Sequence, residues 1–283
     1  SVLGDYNVNT AKNYLSTFLE VVKISYKGED KDEVVADLVK RRNDASRLYR
    51  NKVENHEYSE KQKPNSLAWE EVIMVRRELE DEVKKQRLRK KIQADVPLND
   101  FEGLLFQDLV LVALYTYIPP VRNDFANIQV IKVKDFLKLN KNDKLSKNWL
   151  VVSNRTMEFH LHNFKTSKTH GTIVIDADKP LKMLLRYWLR VNRTGVLLLN
   201  QRNEALTENG ITKYLTRIFK KYTDKSISST MLRHIFLSSK FGEDIKAEME
   251  KYKEKKIVSQ MMGHTVKTQG DYVKFDIDPN ITN

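Results

Sequence analysis

The chain contains no cysteine. That excludes disulfides and cysteine-based zinc sites and fits a reducing compartment. Long apolar runs are missing too. No stretch approaches the roughly 20 residues of a spanning helix, and no signal-peptide pattern opens the printed sequence. Internal repeats and low-complexity segments are also absent, which excludes solenoids and fibrous arrays. Acidic charge is in deficit: 38 Asp+Glu against 50 Lys+Arg leave a net +12 and a pI of about 9.5. This excess favours a polyanionic partner such as nucleic acid, because Lys and Arg release counterions condensed on phosphates. An anionic membrane surface would also attract it. What is present is the composition of a folded protein, 40% hydrophobic and 31% charged, with a mean hydropathy of −0.57. At 283 residues there is room for two domains. The chain opens at Ser1 without a methionine, which fits an excised fragment.

The first part reads as helical. Thr10 is a plausible N-cap for a helix in which Leu15, Phe18, Leu19 and Val22 recur at helical spacing. A second helix is expected around 32–53. A polar, Pro-containing break at Glu60–Asn65 leads into a third that ends in Lys84, Lys85, Arg87, Arg89, Lys90 and Lys91. Such a run is ordinarily a solvated helix end; on a basic chain it also suits contact with a DNA backbone. Gln93–Pro97 reads as a linker, and Asn99 with Glu102 as a capping box.

Beyond it the character changes. Phe101–Tyr117 is apolar nearly all round, as a buried core helix should be, and stops at Ile118-Pro119-Pro120. Asn148–Val152, Met157–Phe164 and Thr172–Ile175 read as strands, the second alternating Met157, Phe159 and Leu161 with Glu158, His160 and His162. Lys165–Gly171 makes a turn. A helix (181–191), a short strand Val196–Leu199 and a helix capped by Thr207 follow. A short helix holding Arg233 is expected to start near Ser228 or Ser229 and end before Gly242. The expected fold class is mainly α with one small antiparallel β-sheet.

Three spaced pieces carry chemistry: MLRH at Met231–His234, MGH at Met262–His264, and Tyr272. An arginine neutralises a phosphate, a histidine donates to it and a phenol attacks it, which suffices for phosphodiester cleavage. Each has an ordinary reading as well. Arg233 among Met231, Leu232, Ile235 and Phe236 sits on a mostly buried helix, where an arginine generally has an anionic partner. His264 after Gly263 closes a helix, and Tyr272 is one of 12 tyrosines. Arg122 follows the double proline, while Lys165 and Lys168 sit in a turn where lysines are usually solubilising tips.

The order arginine, hairpin lysine, arginine, Gly-His, tyrosine resembles that of the tyrosine recombinases, the phage-integrase family of site-specific DNA recombinases, over essentially the full chain. On that resemblance Arg122 in IPPVRNDF matches the first arginine and Asp124 the supporting acid, one position closer than the usual glutamate. Lys165 matches the hairpin lysine, with Lys168 its competitor. Arg233 in TMLRHIF, His264 in MMGHT and Tyr272 in QGDYVK match the second arginine, the box histidine and the nucleophile. The PPxRND form and SLAWEEV segment look most like members from large DNA viruses and their satellite viruses. The resemblance implies a helical (SAM-like) core DNA-binding domain at 1–95 and a catalytic domain at 98–283, clamping duplex DNA. The basic run at 84–91 would lie across the backbone. It implies transesterification through a 3′-phosphotyrosyl intermediate without metal, ATP or other cofactor. The implied assembly is a homotetramer on synapsed recombination sites and a monomer or weak oligomer without DNA. The implied location is intracellular, in host nucleus, cytoplasm or viral factory, with no membrane partner.

Two departures stand out. Thr230 occupies the place of the histidine usually found three residues before the second arginine, and a threonine can donate to phosphate but not shuttle a proton. The segment from Arg233 to His264 is longer than usual, through an insertion such as Lys246–Lys256. Two further readings are a type IB topoisomerase-like enzyme that relaxes DNA as a monomer, and a DNA-binding relative with weakened catalysis.

Overall fold

The structure, a computed structural model, describes residues 7–272 apart from 57 and 61, and the side chains of 7–269 among these. The chain is mainly helical with one small four-stranded mixed sheet. It forms two compact units, Ser1–Pro64 and Asn65–Asn283.

The first unit is a hairpin of α1 (Val8–Ser25) and α2 (Lys31–Glu54). Leu15, Leu19 and Val22 of α1 bury against Leu38 of α2, while Phe18 stays exposed. The cap of α1 is Asn7 rather than Thr10: its side chain accepts from the Asn9 amide at 2.8 Å.

In the second unit the expected third helix is two. Arg87 adopts a left-handed conformation (φ 54°) between α3 (Trp69–Lys85) and α4 (Leu88–Gln93). The bend lets both halves pack. Val72, Val75, Leu79 and Val83 of α3 and Leu88 and Ile92 of α4 are all buried. Both helices belong to the larger compact unit, which begins at Asn65. The central helix α5 (Asp100–Tyr117) opens on the expected capping box: Asn99 accepts from the Glu102 amide at 2.9 Å and Glu102 from the Asn99 amide at 3.1 Å. Residues Leu105–Tyr115 of α5 are buried, so its backbone is wrapped by core on all sides. The prolines after Ile118 end it.

The sheet corrects the expected antiparallel arrangement. Its order is β1 (Gln129–Lys132), β2 (Trp149–Val152), β3 (Met157–Leu161), β4 (Ile173–Asp176). The β1–β2 pair is parallel, with Gln129 opposite Trp149; the other pairs are antiparallel. A parallel neighbour needs a crossover, which α6 (Val133–Lys138) and α7 (Lys141–Ser146) provide. β1 is too short and polar to show a period. Val196–Leu199, expected as a strand, forms only isolated bridges, Gln129 with Val196 and Leu199 with Ala205. α8 (Ser167–His170) is a single turn. Asp178 caps α9 (Lys179–Val191), and Thr207 caps α10 (Glu208–Thr223) as expected.

The largest difference is α11, which runs from Ser229 to Met261 without ending before Gly242. One glycine in a helix costs only about 1 kcal/mol, and the Lys-, Glu-, Ala- and Met-rich residues beyond it favour helix. α12 (Val266–Tyr272) follows. Among the described residues no helix is long and apolar enough to cross a membrane.

Candidate active site

The end of α5 fixes the first wall of the site. Tyr115 is fully buried, and its hydroxyl donates to the Arg122 carbonyl at 2.6 Å. Its ring packs edge-on against Phe125, which packs on Phe159 of β3. The Arg122 backbone amide donates to Asp124 Oδ2 at 3.2 Å, closing a tight loop that leaves the guanidinium exposed. Asn123 fastens this loop to two helices, donating to Thr212 Oγ1 at 3.2 Å and accepting from Ser229 Oγ at 2.6 Å.

Asn148, just before β2, joins this wall to the opposite one. Its amide nitrogen donates to the carbonyls of Asp124 (3.3 Å) and Asn163 (2.9 Å). Its amide oxygen accepts from the backbone amides of His162 and Asn163 at 2.9 and 2.8 Å. One buried side chain thus sets the Arg122 loop and the loop leading to Lys165 at a fixed separation.

The third wall is the N-terminus of α11, where Ser228 accepts from the Met231 amide. Arg233 lies one turn in, half-buried, its neighbours Met231, Leu232 and Ile235 packed in the core. Between the walls is an open cavity of about 790 Å³ lined by Arg122, Asp124, Lys147, Asn148, Lys165, Glu208, Ser229, Thr230 and Arg233 among others. Among the described residues none of its four cations (Arg122, Lys147, Lys165, Arg233) is held in an ion pair within 4 Å. Burial raises the Asp124 carboxyl above its usual range, opposed by the hydrogen bond from the Arg122 amide and the charges of Arg122 and Arg233, and Glu208 raises it further. The cavity is thus net cationic. The positive end of a long helix dipole adds to this.

The structure brings together Arg122, Asp124, Lys165, Thr230 and Arg233. Lys168 sits exposed on α8, away from the cavity lining. His264 is not among the residues that line the cavity. The 29 residues of α11 from Arg233 to Met261 span about 40 Å at 1.5 Å per residue. At that far end Gly263 (φ 71°) closes the helix, and the His264 amide donates to the Ser259 carbonyl at 3.0 Å. Ser259 Oγ donates to Gln269 of α12 at 2.9 Å. The Tyr272 side chain lies outside the described residues. Lys147, Asn148 and Glu208 went unnoticed in the sequence: nothing in their spacing marks them, and only the sheet register and crossover bring them here.

The basic run is divided in its roles. Lys91 pairs with Glu102, and Arg89 lies over the Tyr187 ring, 5.8 Å from its centroid. Lys84, Arg87, Arg89 and Lys90 line a second cleft of about 480 Å³ with Glu80, Asp81 and Tyr117. Lys85 is exposed. Among the described residues no group of three or more His, Asp or Glu converges as a metal site.

A polar, net cationic cavity at a helix N-terminus has the chemistry to hold a phosphate-like anion. No family model and no curated protein matches this chain. Among solved structures it is similar to the crystal structure of XerH site-specific recombinase bound to difH substrate, a pre-cleavage complex. The identity is 16% and the TM-score 0.41, over 94% of this chain and 67% of that one. At that level the likeness assigns no side chain a role.

Proposed function

We propose that this protein is a site-specific DNA recombinase that cuts and rejoins duplex DNA through Tyr272. The observation that carries the reading is the convergence of Arg122, Lys165 and Arg233, none of them in an ion pair, at the N-terminus of α11. In the proposed reaction the Tyr272 phenolic oxygen attacks the scissile phosphorus, forming a 3′-phosphotyrosyl bond while the bond to the 5′-oxygen breaks. Lys165 gives that oxygen its proton. Arg122 and Arg233 hold the non-bridging oxygens, their planar forks matched to phosphate. Thr230 and His264 donate hydrogen bonds. A free phenol has a pKa of about 10, so the cationic surround is needed to let it release its proton to water and attack as the phenolate. Attack by a 5′-hydroxyl from a partner strand reverses the step.

The proposal requires His264 and Tyr272 to reach the cavity, through a break in α11 or from a second copy. Residues 1–95 would act as the core DNA-binding part and 98–283 as the catalytic part, in a homotetramer on paired sites. The IPPVRNDF and SLAWEEV segments support, within this proposal, a type resembling the recombinases of large DNA viruses and their satellite viruses. The unbroken run of α11 from Ser229 to Met261 favours a second reading, DNA binding without cleavage.

The test uses nicked duplexes selected for binding from a random-sequence library, with EDTA present. A covalent DNA adduct on a denaturing gel, lost in Tyr272→Phe, is the expected result. Binding with no adduct supports the second reading, and an adduct that survives Tyr272→Phe overturns the nucleophile. Mixing Tyr272→Phe with Arg233→Ala then separates the two routes, since only delivery from a second copy restores the adduct.

A further inference from the structure

Beyond Arg233 and its buried neighbours α11 leaves the core. From Leu237 to Val258 every residue is exposed except the half-buried Gly242 and Met249. Yet this free length of helix is not uniformly polar. Leu237, Phe241, Ile245, Met249 and Tyr252 recur every three or four residues. At 100° per residue they fall within about 120° of the helix circumference. Leu237, Phe241, Ile245 and Tyr252 are 46, 42, 37 and 57% exposed. Among the described residues, a stripe of that kind on an exposed helix is an unpartnered packing face.

The charges along it say what covers it. Four of them, Asp244, Glu248, Lys251 and Lys255, follow one edge of the stripe at spacings of four, three and four. The first two are acidic and the last two basic. Among the described residues none of the four makes an ion pair within the chain. Turning this helix end for end about the point between residues 249 and 250 sets Asp244 opposite Lys255 and Glu248 opposite Lys251 simultaneously. In an antiparallel pair the same edge of each helix faces its counterpart, so one register satisfies all four charges on each copy. The same turn brings the Ile245 and Tyr252 regions of the two stripes together. A parallel pair would instead set this edge against the opposite edge of the partner helix, where the four charges do not meet one another.

We propose that residues 237–258 of α11 form an antiparallel helix pair with the same segment of a second copy of this chain, with Asp244 against Lys255 and Glu248 against Lys251 at its edge. Two copies are thereby joined through the solvent-exposed length of α11. It holds whether or not Tyr272 cuts DNA.

Sedimentation velocity on the full chain at low salt tests it. The wild type is expected to show a concentration-dependent monomer–dimer equilibrium. Lys251→Glu/Lys255→Glu leaves the edge all acidic and Asp244→Lys/Glu248→Lys leaves it all basic. Each alone is expected to raise the dimer dissociation constant at least about tenfold through like-charge contact, and mixing the two to restore dimers. Ile245→Asp should abolish pairing, with unchanged helical circular dichroism showing that the fold persists. Because the chain has no cysteine, direction can be read by cross-linking: Asp244→Cys mixed with Lys255→Cys should yield a disulfide dimer, and Asp244→Cys alone should not. A wild type that stays monomeric at every attainable concentration overturns the proposal. So does undiminished dimerisation of the charge-reversed variants, or a cross-link between two copies of Asp244→Cys.

Discussion

At the scale of single residues, the cavity depends on Asn148 as much as on its arginines. Its side chain makes four hydrogen bonds, to residues on two loops. Asn148→Leu leaves buried backbone groups without partners, at about 1–3 kcal/mol, and should let the Arg122 and Lys165 loops separate. The expected outcome is a lower urea midpoint together with less adduct, while binding to DNA persists. In the proposed reaction, Arg233→Ala would remove a preorganised donor to the phosphate. Loss of one such donor is worth about 3 kcal/mol of barrier, a fall in adduct formation of two to three orders of magnitude, read by quench kinetics. Asp108 offers a pH signature away from the site. Burial in α5 pushes its carboxyl up to about 6, although Arg217 lies 2.5 Å away and opposes the shift. A carboxyl whose folded pKa is raised binds its proton more tightly folded than unfolded, so it gains stability as pH falls from about 6 toward 4. Urea melts across that window should show the wild type gaining over Asp108→Asn as pH is lowered. The apolar run of α5 was plain in the sequence, but the counter-ion to Asp108, more than a hundred residues on, was not.

At the scale of elements, helix beginnings were easier to read than helix ends. The Asn99–Glu102 box and the Thr207 cap stand as expected because a cap is a local hydrogen bond between neighbours. Asn99→Ala should cost about 1 kcal/mol in a chemical melt, with the loss confined to the start of α5. Helix ends depend on what the helix packs against. α3 stops at Lys85 because burying both Val83 and Leu88 demands a bend at Arg87, and no propensity announces it. α11 runs on past Gly242 because residues 246–256 favour helix and nothing interrupts them. Its true end is set by Gly263, whose positive φ (71°) disfavours any Cβ. Gly263→Ala, which meets no steric neighbour within 4 Å, should still destabilise by about 1 kcal/mol, detectable as faster amide exchange around residues 259–264.

At the scale of the whole molecule, the basic excess and the compact units govern behaviour. If Arg87, Arg89 and Lys90 lie against DNA phosphates, replacing Arg89 and Lys90 by alanine should reduce the slope of log affinity against log salt by about 2. Fluorescence anisotropy on a labelled duplex measures this. The sequence by itself determined the helical class, the buried α5, the antiparallel pairing of β2 through β4 and the residue types of the cavity. Those follow from composition, local hydrogen bonds and short periods, which neighbouring residues settle among themselves. Only the tertiary structure decided that β1 pairs in parallel with β2, that α3 and α4 join the larger unit, and that Asn148, Lys147 and Glu208 stand beside Arg122, Lys165 and Arg233. It also set His264 at the far end of a 33-residue helix. Each of these is a pairing between residues distant in sequence, fixed by which surfaces bury together, and no local pattern encodes it.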